Sequence, residues 1–493
     1  MIDRTAKAGA TGISYAYIDP RKNKTAYLPQ KVAVIAQGET AANSSYTTEP
    51  WPVTSYSETA SKYGSRSPIA RMVKKLKPPG GGGLGGIEVT VYPLKDHGSG
   101  VAAAGSVTPS GTLAADAYLK LRIDGEESAT FKVAKGAVVA GTVVTAMLAA
   151  CAENPDIPAL TSGTTVLNVT QSWKGTTGNT ASGMKIEVLG NTQGGIFTIA
   201  PFTGGTNNPD VTPAVAQIGS RWETLLINQM EPSDATTLDK YVLWGEPRWG
   251  ALQHCFAVVV TGSTETNRAT ITAITDGRKT DRSNLIWSAE GSPTPPFVCA
   301  AALVAAIAPT MNNSPCSDFG LLPVDIIPAA AAVQFDWDSR DYCVKRGLAT
   351  SEYRDNKCVV GDLVTCYHPT GEEPPAYATL ADINKLMNFG NLLKLEFDHR
   401  RWRGVAIVAD DQTTDDPRAR RRKEVLAACY KVTNAGGRMA IVANPKFVNE
   451  NTTCEIDAGN PKRLNTFIPP PLSSNMNIHN IDVGFSFYFG EDA

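Results

Sequence analysis

The side chains best suited to chemistry are scattered through this sequence rather than grouped. Its five histidines, His97, His254, His368, His399 and His479, fall in no HExxH pattern and at no Cys/His spacing that would surround a zinc ion. Nine cysteines stand at 151, 255, 299, 316, 343, 358, 366, 429 and 454, without one CxxC pair. Gly81, Gly83 and Gly86 satisfy GxGxxG, yet helical spacing precedes them and a strand pattern follows. A phosphate cradle needs the reverse order, which aims helix N-terminal amides at the pyrophosphate. Gly178 and Gly183 have P-loop separation, but Met184 stands where the phosphate-binding lysine must be. The carboxylate pairs Asp336/Asp338 and Asp410/Asp411 lie in polar stretches, where such pairs are solvated or ion-paired, and no nucleophile elbow is present. These residues imply no catalytic group, no metal site and no cofactor, and hence a protein that is not an enzyme.

A chain of 493 residues exceeds one ordinary core, and 42% hydrophobic with 19% charged residues suits several packed domains. Lys and Arg total 46 against 48 Asp and Glu, so the net charge of -2 supplies no field to hold a nucleic acid. The opening MIDRTAKAGATG is charged, and no long apolar run stands out, so neither secretion nor membrane insertion is expected.

Residues 11–17 (TGISYAY) alternate Ile13, Tyr15 and Tyr17 with small residues, as a half-buried strand does, but have no adjacent partner. Residues 31–37 (KVAVIAQ) have the continuous apolar character of a buried strand, 65–77 are helical, and 87–92 return to strand. From 96 to 208 the composition shifts to Gly, Ser, Thr, Ala and Val, with strands at 118–123, 129–133, 165–170 and 184–189 and a helix at 140–152. Beyond 209, helices and strands alternate again. The spacing predicts a helix from Asp415-Asp416-Pro417 to about Asn434, stopped by Gly436-Gly437. Its basic first turns carry Arg418, Arg421 and Arg422, which either face solvent over a counter-charge or meet an acidic strip on a second copy. Near the end, Ile481, Val483, Phe485, Phe487 and Phe489 alternate with small or polar residues after Pro469-Pro470-Pro471. A strand with so apolar a face must complete its own sheet or extend another chain's. The odd cysteine count fits buried thiols; Cys343, Cys358, Cys366 and Cys454 are the disulfide candidates.

Taken in order, several segments carry a resemblance. Residues 13–38 (ISYAYIDPRKNKTAYLPQKVAVIAQG) resemble the start of tail sheath proteins of Mu-like contractile bacteriophages, and 460–489 look like that family's close. Between them, Gly204-Gly205-Thr206 with Pro209-Asp210, then Arg248-Trp249-Gly250 and Leu321-Leu322-Pro323, fit the same series. The resemblance implies an α+β multidomain fold: a discontinuous α/β sheath core, an inserted β-rich domain and extended N- and C-terminal strand-exchange arms. Its parts would be an N-terminal arm at 1–24, core at 25–95 and 209–330, an inserted outer domain at 96–208, a tube-facing α/β domain at 331–475, and a C-terminal arm at 476–493. It further implies a homo-oligomeric helical sheath in a virion, assembled in the host cytoplasm, with tail tube, baseplate and neck or terminator proteins as partners. Both arms would insert into sister copies, and contraction would turn on joints at 19–23 and 469–473. A type VI secretion or pyocin-type sheath is the near alternative; a hydrolase with dispersed residues or an adhesive virion protein is the alternative of another class.

Overall fold

The computed structural model describes residues 27–250, 253–370 and 377–476. The candidate arm residues Ile13, Tyr15 and Tyr17, and Ile481, Val483, Phe485, Phe487 and Phe489, lie outside the described residues.

The first described element is β1 (Lys31–Gln37), whose six residues after Lys31 are all buried, as a strand covered on both faces must be. There follow β2 (Trp51–Pro52), α1 (Tyr56–Tyr63), α2 (Pro68–Leu76) and β3 (Glu88–Leu94). Ser55 and Ser67 cap the two helices by accepting the Glu58 and Ala70 N–H groups, and Pro68 starts α2 where no donor is needed. The glycine run after α2 turns the chain back tightly. Gly83 has φ +58°, and a Cβ there would sit 2.3 Å from the Leu76 carbonyl oxygen.

After β3 the chain builds two small antiparallel sheets. Their elements are β4 (Ala104–Leu113), β5 (Ala117–Ile123), β6 (Glu126–Glu127), β7 (Phe131–Val133), β8 (Gly136–Ala137), α3 (Ala140–Glu153), β9 (Ala159–Ser162), β10 (Leu167–Gln171), β11 (Ile186–Leu189) and β12 (Gly195–Thr203). One sheet runs β12-β4-β10-β9 with β8 on β4, and the other β11-β5-β6 with β7 on β5.

The chain then returns through α4 (Thr212–Ile218), β13 (Leu225–Asn228), α5 (Ala235–Trp249), β14 (Val258–Ser263), α6 (Arg268–Asp276), β15 (Asn284–Ser288) and α7 (Pro296–Asn313). Its strands join the first ones in a sheet ordered β15-β14-β13-β1-β3-β2, parallel except for β2. Val34 stands opposite Val91 on one side and Ile227 on the other, although more than a hundred residues separate those strands in sequence. Val32 and Val34 pack with α2 and α7, whereas Ala33 and Ile35 pack with α4 and α5. Each such Val or Ile buried stabilises by roughly 1.5–3 kcal/mol. Sequence reading overlooked α7: at 18 residues it is long and apolar enough to cross a membrane, but 67% of it is buried inside the protein. Packing against α2, β13 and β14 accounts for that apolarity.

The last part contains β16 (Pro323–Val324), α8 (Trp337–Val344), β17 (Ser351–Arg354), β18 (Lys357–Val360), α9 (Leu380–Phe397), β19 (Ala406–Val408), β20 (Ala419–Arg421), α10 (Arg422–Arg438), α11 (Pro445–Asn451), β21 (Thr453–Ile456) and β22 (Leu464–Phe467). The best-marked helix of the sequence starts later than its signals predict. Asp416 does not cap it: its carboxylate accepts the Arg418 N–H at 2.7 Å in a local turn, and Ala419–Arg421 pairs with β19. Nor do Gly436 and Gly437 stop it. Both lie inside α10, where added Cβ atoms would come 2.9 Å from Val442 and 2.4 Å from Pro445, so they serve close packing instead.

Glu290, after β15, ties that strand to the last part. Its carboxylate accepts the Phe335 N–H and the Ser351 hydroxyl, each at 3.0 Å. Burial raises its pKa to about 7 against the opposing pull of the Phe335 N–H, the Ser351 hydroxyl and Arg340. The folded protein therefore holds this proton more tightly than the unfolded chain, so the contribution is complete below about pH 4.5 and lost as pH rises through 7. Glu290→Gln should flatten this slope, which is on the order of 3 kcal/mol. Urea unfolding at pH 5 and pH 8 measures it.

Candidate functional site

In a doubly wound sheet the ligand crevice opens where strand order reverses, here between the carboxyl ends of β1 and β13. The chain's own side chains close it. Gln37 and Gln229 hydrogen-bond reciprocally at 2.6 and 2.9 Å, and Gln37 Nε2 reaches Asp96 and the Lys174 carbonyl. Trp173 is fully buried beside them, donating to Thr177 at 3.0 Å and meeting Phe297 edge-on. The position where this topology would hold a small molecule is thus packed by residues 172–177.

The larger opening lies in the last part. An apolar cleft of about 860 Å³ runs between two short sheets, β19-β20 and β21-β22. Leu393 and Phe397 of α9 and Val425 and Cys429 of α10 contribute to its lining, with Ile407 of β19 and Leu464 of β22 on the two strands. Each sheet has only two strands among the described residues, so each outer edge has no strand partner among them. Glu396 frames the cleft: nearly buried, it accepts from Arg401 and from Trp402 Nε1 and pairs with Lys431 of α10 at 3.0 Å.

The chain leading to the predicted arms is fastened beside this cleft. Leu28 donates its N–H to Asn388 Oδ1 at 2.9 Å. Residues 471–475 are also held: Ala443 N–H reaches the Pro471 carbonyl and Ser473 N–H the Ile441 carbonyl, both at 2.9 Å. The expected joint at 469–473 is therefore corrected, because backbone pairing and the Val442–Leu472 bridge fix that segment to the body. Asn384, Lys385, Asn388 and Asn391 form a polar stripe at helical spacing on α9, and all four are buried. Sequence reading missed this stripe.

The basic residues have partners within their own chain. Arg422 meets Asp410 at 3.0 Å, Arg421 meets Glu424 at 3.3 Å and the Gln412 carbonyl at 2.8 Å, and Arg418 donates to the Arg403 and Gly404 carbonyls. The Lys423 N–H and the Arg422 guanidinium hold the Asp410 carboxyl below its ordinary value. Such exposed pairs are largely screened by solvent and fix the loop before α10 more than they stabilise the fold.

No protein-family model matches the chain. It is 24% identical over 444 residues, 87% of its own length and 87% of the other's, to the Mu-like prophage FluMu tail sheath protein of Haemophilus influenzae. Its sequence is thus similar to that of a Mu-like prophage tail sheath protein along most of its length. Among solved structures it is similar to the sheath tail proteins of Listeria innocua (12% identity, 91% of this chain and 94% of that one, TM-score 0.48) and Desulfitobacterium hafniense (11%, 90% and 93%, TM-score 0.46). It is also similar to the anti-feeding prophage helical sheath in its contracted state (9%, 97% and 99%, TM-score 0.46).

All nine cysteines of the chain are free, and eight are buried. Of the disulfide candidates, two share one cluster and the other two lie apart from it. Cys343 and Cys366 sit with Leu238 and Ile286, Cys358 belongs to the main core, and Cys454 packs with Cys429 near the cleft. Burial pushes the Cys343 thiol up to about 11 and Cys358 to about 12, which keeps both as unreactive thiols at neutral pH. A thiol reagent should label only the half-exposed Cys316 in the native protein and all nine sites after denaturation; mass spectrometry of labelled peptides checks this.

Proposed function

We propose that this chain is the sheath subunit of a contractile phage tail, and that copies are linked by strand exchange at the apolar cleft. The observation carrying the second part is the match between two separated features. One is an apolar cleft flanked by two sheets of only two strands each among the described residues; the other is a terminal segment in whose sequence Ile481, Val483, Phe485, Phe487 and Phe489 alternate with small or polar residues. A strand laid between β19 and β22 pairs with both sheet edges and buries those apolar side chains. With about four to six main-chain bonds at ~0.5–1.5 kcal/mol net, plus burial of the aromatic face, each link is worth several kcal/mol.

In this reading the N-terminal arm at 1–24 and the C-terminal arm at 476–493 come from two different copies and meet in a third. The resulting mesh surrounds the tail tube, with residues 331–475 toward the tube and the inserted 96–208 outward. Baseplate triggering lets the rigid bodies rotate into a shorter, wider helix while the strand links persist. The work comes from the additional interfaces that subunits form in the contracted helix, with no nucleotide consumed. Assembly takes place in the host cytoplasm, before the virion forms. Negative-stain microscopy of the purified protein tests the assignment: long hollow cylinders support it, and a preparation that stays monomeric at high concentration opposes it.

A further inference from the structure

Lys385 on α9 has no exposed surface, and its ammonium donates to three acceptors: Asp382 Oδ1 at 3.1 Å, Asn475 Oδ1 at 2.5 Å and the Ser473 carbonyl. Asn475 is held a second time, its Nδ2 donating to the Cys316 carbonyl at 2.9 Å. Less than one turn along α9, Asn388 Oδ1 takes the Leu28 N–H at 2.9 Å, while the Gln30 N–H goes to Asn312 on the last turn of α7. One helix therefore grips chain that arrives from both ends of the sequence.

A packing role alone does not explain this choice of residues. A methionine fills the space of a buried lysine without needing partners, whereas an ammonium removed from water is costly unless every N–H is satisfied. Here all three acceptors are in place, and two of them belong to the segment leaving the body. Asn388 likewise commits its side-chain oxygen to a backbone N–H 360 positions away.

We propose that Lys385 and Asn388 make α9 the common anchor of the two arms, so that tension arriving through one is passed to the other across a single turn of helix. This rests on the strand-exchange reading above and extends it. Anchors on separate elements would let opposed pulls shear the domain; anchors at i and i+3 put both on one rigid rod. The body is then stiff through Asn475, and the C-terminal link begins beyond that residue.

The test compares full-length Lys385→Met and Asn475→Ala with the wild type, and includes a chain ending at Asn475 as control. Thermolysin should cut the wild-type monomer after Asn475 but spare the bonds around Ile468 and Leu472. In both variants, cutting at those two sites should rise at least tenfold while the body unfolds at an unchanged urea midpoint. Cylinders of the variants should also dissociate at lower urea than wild-type cylinders. Asn475→Ala changes no core residue, so it decides the matter if Lys385→Met fails to fold. Unchanged cutting and unchanged cylinder resistance would overturn the anchor while leaving strand exchange intact, provided the truncated chain stays monomeric. Cylinders formed by the truncated chain would instead remove the strand-exchange reading itself.

Discussion

A chain ending at Asn475 is expected to fold, remain soluble as a monomer and form no cylinders at any attainable concentration. The sheet order and the pairing of residues 471–473 are made by residues that this chain retains, and so are the α9 contacts to Ser473 and Asn475. The deletion removes the terminal apolar segment and, on the strand-exchange proposal, the several kcal/mol that its main-chain bonds and aromatic side chains would supply at each copy-to-copy link. Because ~1.4 kcal/mol is a tenfold change in association, losing several moves the assembly threshold by three or more orders of magnitude. Circular dichroism should be nearly unchanged, and sedimentation should show one monomeric species.

The second large effect lies on the acceptor side. Ile407 is half-buried at the centre of β19 and lines the cleft. Ile407→Lys leaves the monomer room to turn its ammonium into water, at a cost of ~1 kcal/mol or less. A strand entering the cleft would trap that charge against apolar groups, costing ~3 kcal/mol per link, or roughly a hundredfold in the assembly threshold. Ile407→Leu should assemble normally. In a chain already ending at Asn475, Ile407→Lys should cause no further loss, because donor and acceptor act in the same step. Light scattering against protein concentration measures all four.

The legible parts of the fold were those whose signals are local. Apolar continuity marked residues 31–37, and alternation marked 118–123, where β1 and β5 stand. The failures were those where a local signal serves a distant contact. Asp416 and Pro417 have the composition of a helix start, but the parallel pairing of β19 with β20, invisible in a short window, holds that backbone extended. Gly436 and Gly437 look like a stop and are instead where residues 442–445 press against α10. The site divides in the same way. The donor segment proposed for it rests on the alternation of Ile481 to Phe489 in the sequence alone. Its acceptor was not visible there, because the cleft is assembled from α9, α10, β19 and β22, and no single stretch carries its shape. Lys385 and Asn388 were overlooked because polar residues at helical spacing ordinarily mark the wet face, and here that face is covered by chain from both termini. Buried Asn and Lys in one stripe were the available clue.

Strand exchange between copies is tested most directly by a cryo-electron microscopy map of the assembled cylinder, fine enough to trace main chain through the cleft between β19 and β22. The account expects density there that joins Ile481–Phe489 of one copy to the body of another, with a third copy's N-terminal segment alongside. Density that returns each copy's terminal strand to its own cleft, with no chain crossing between bodies, would contradict it.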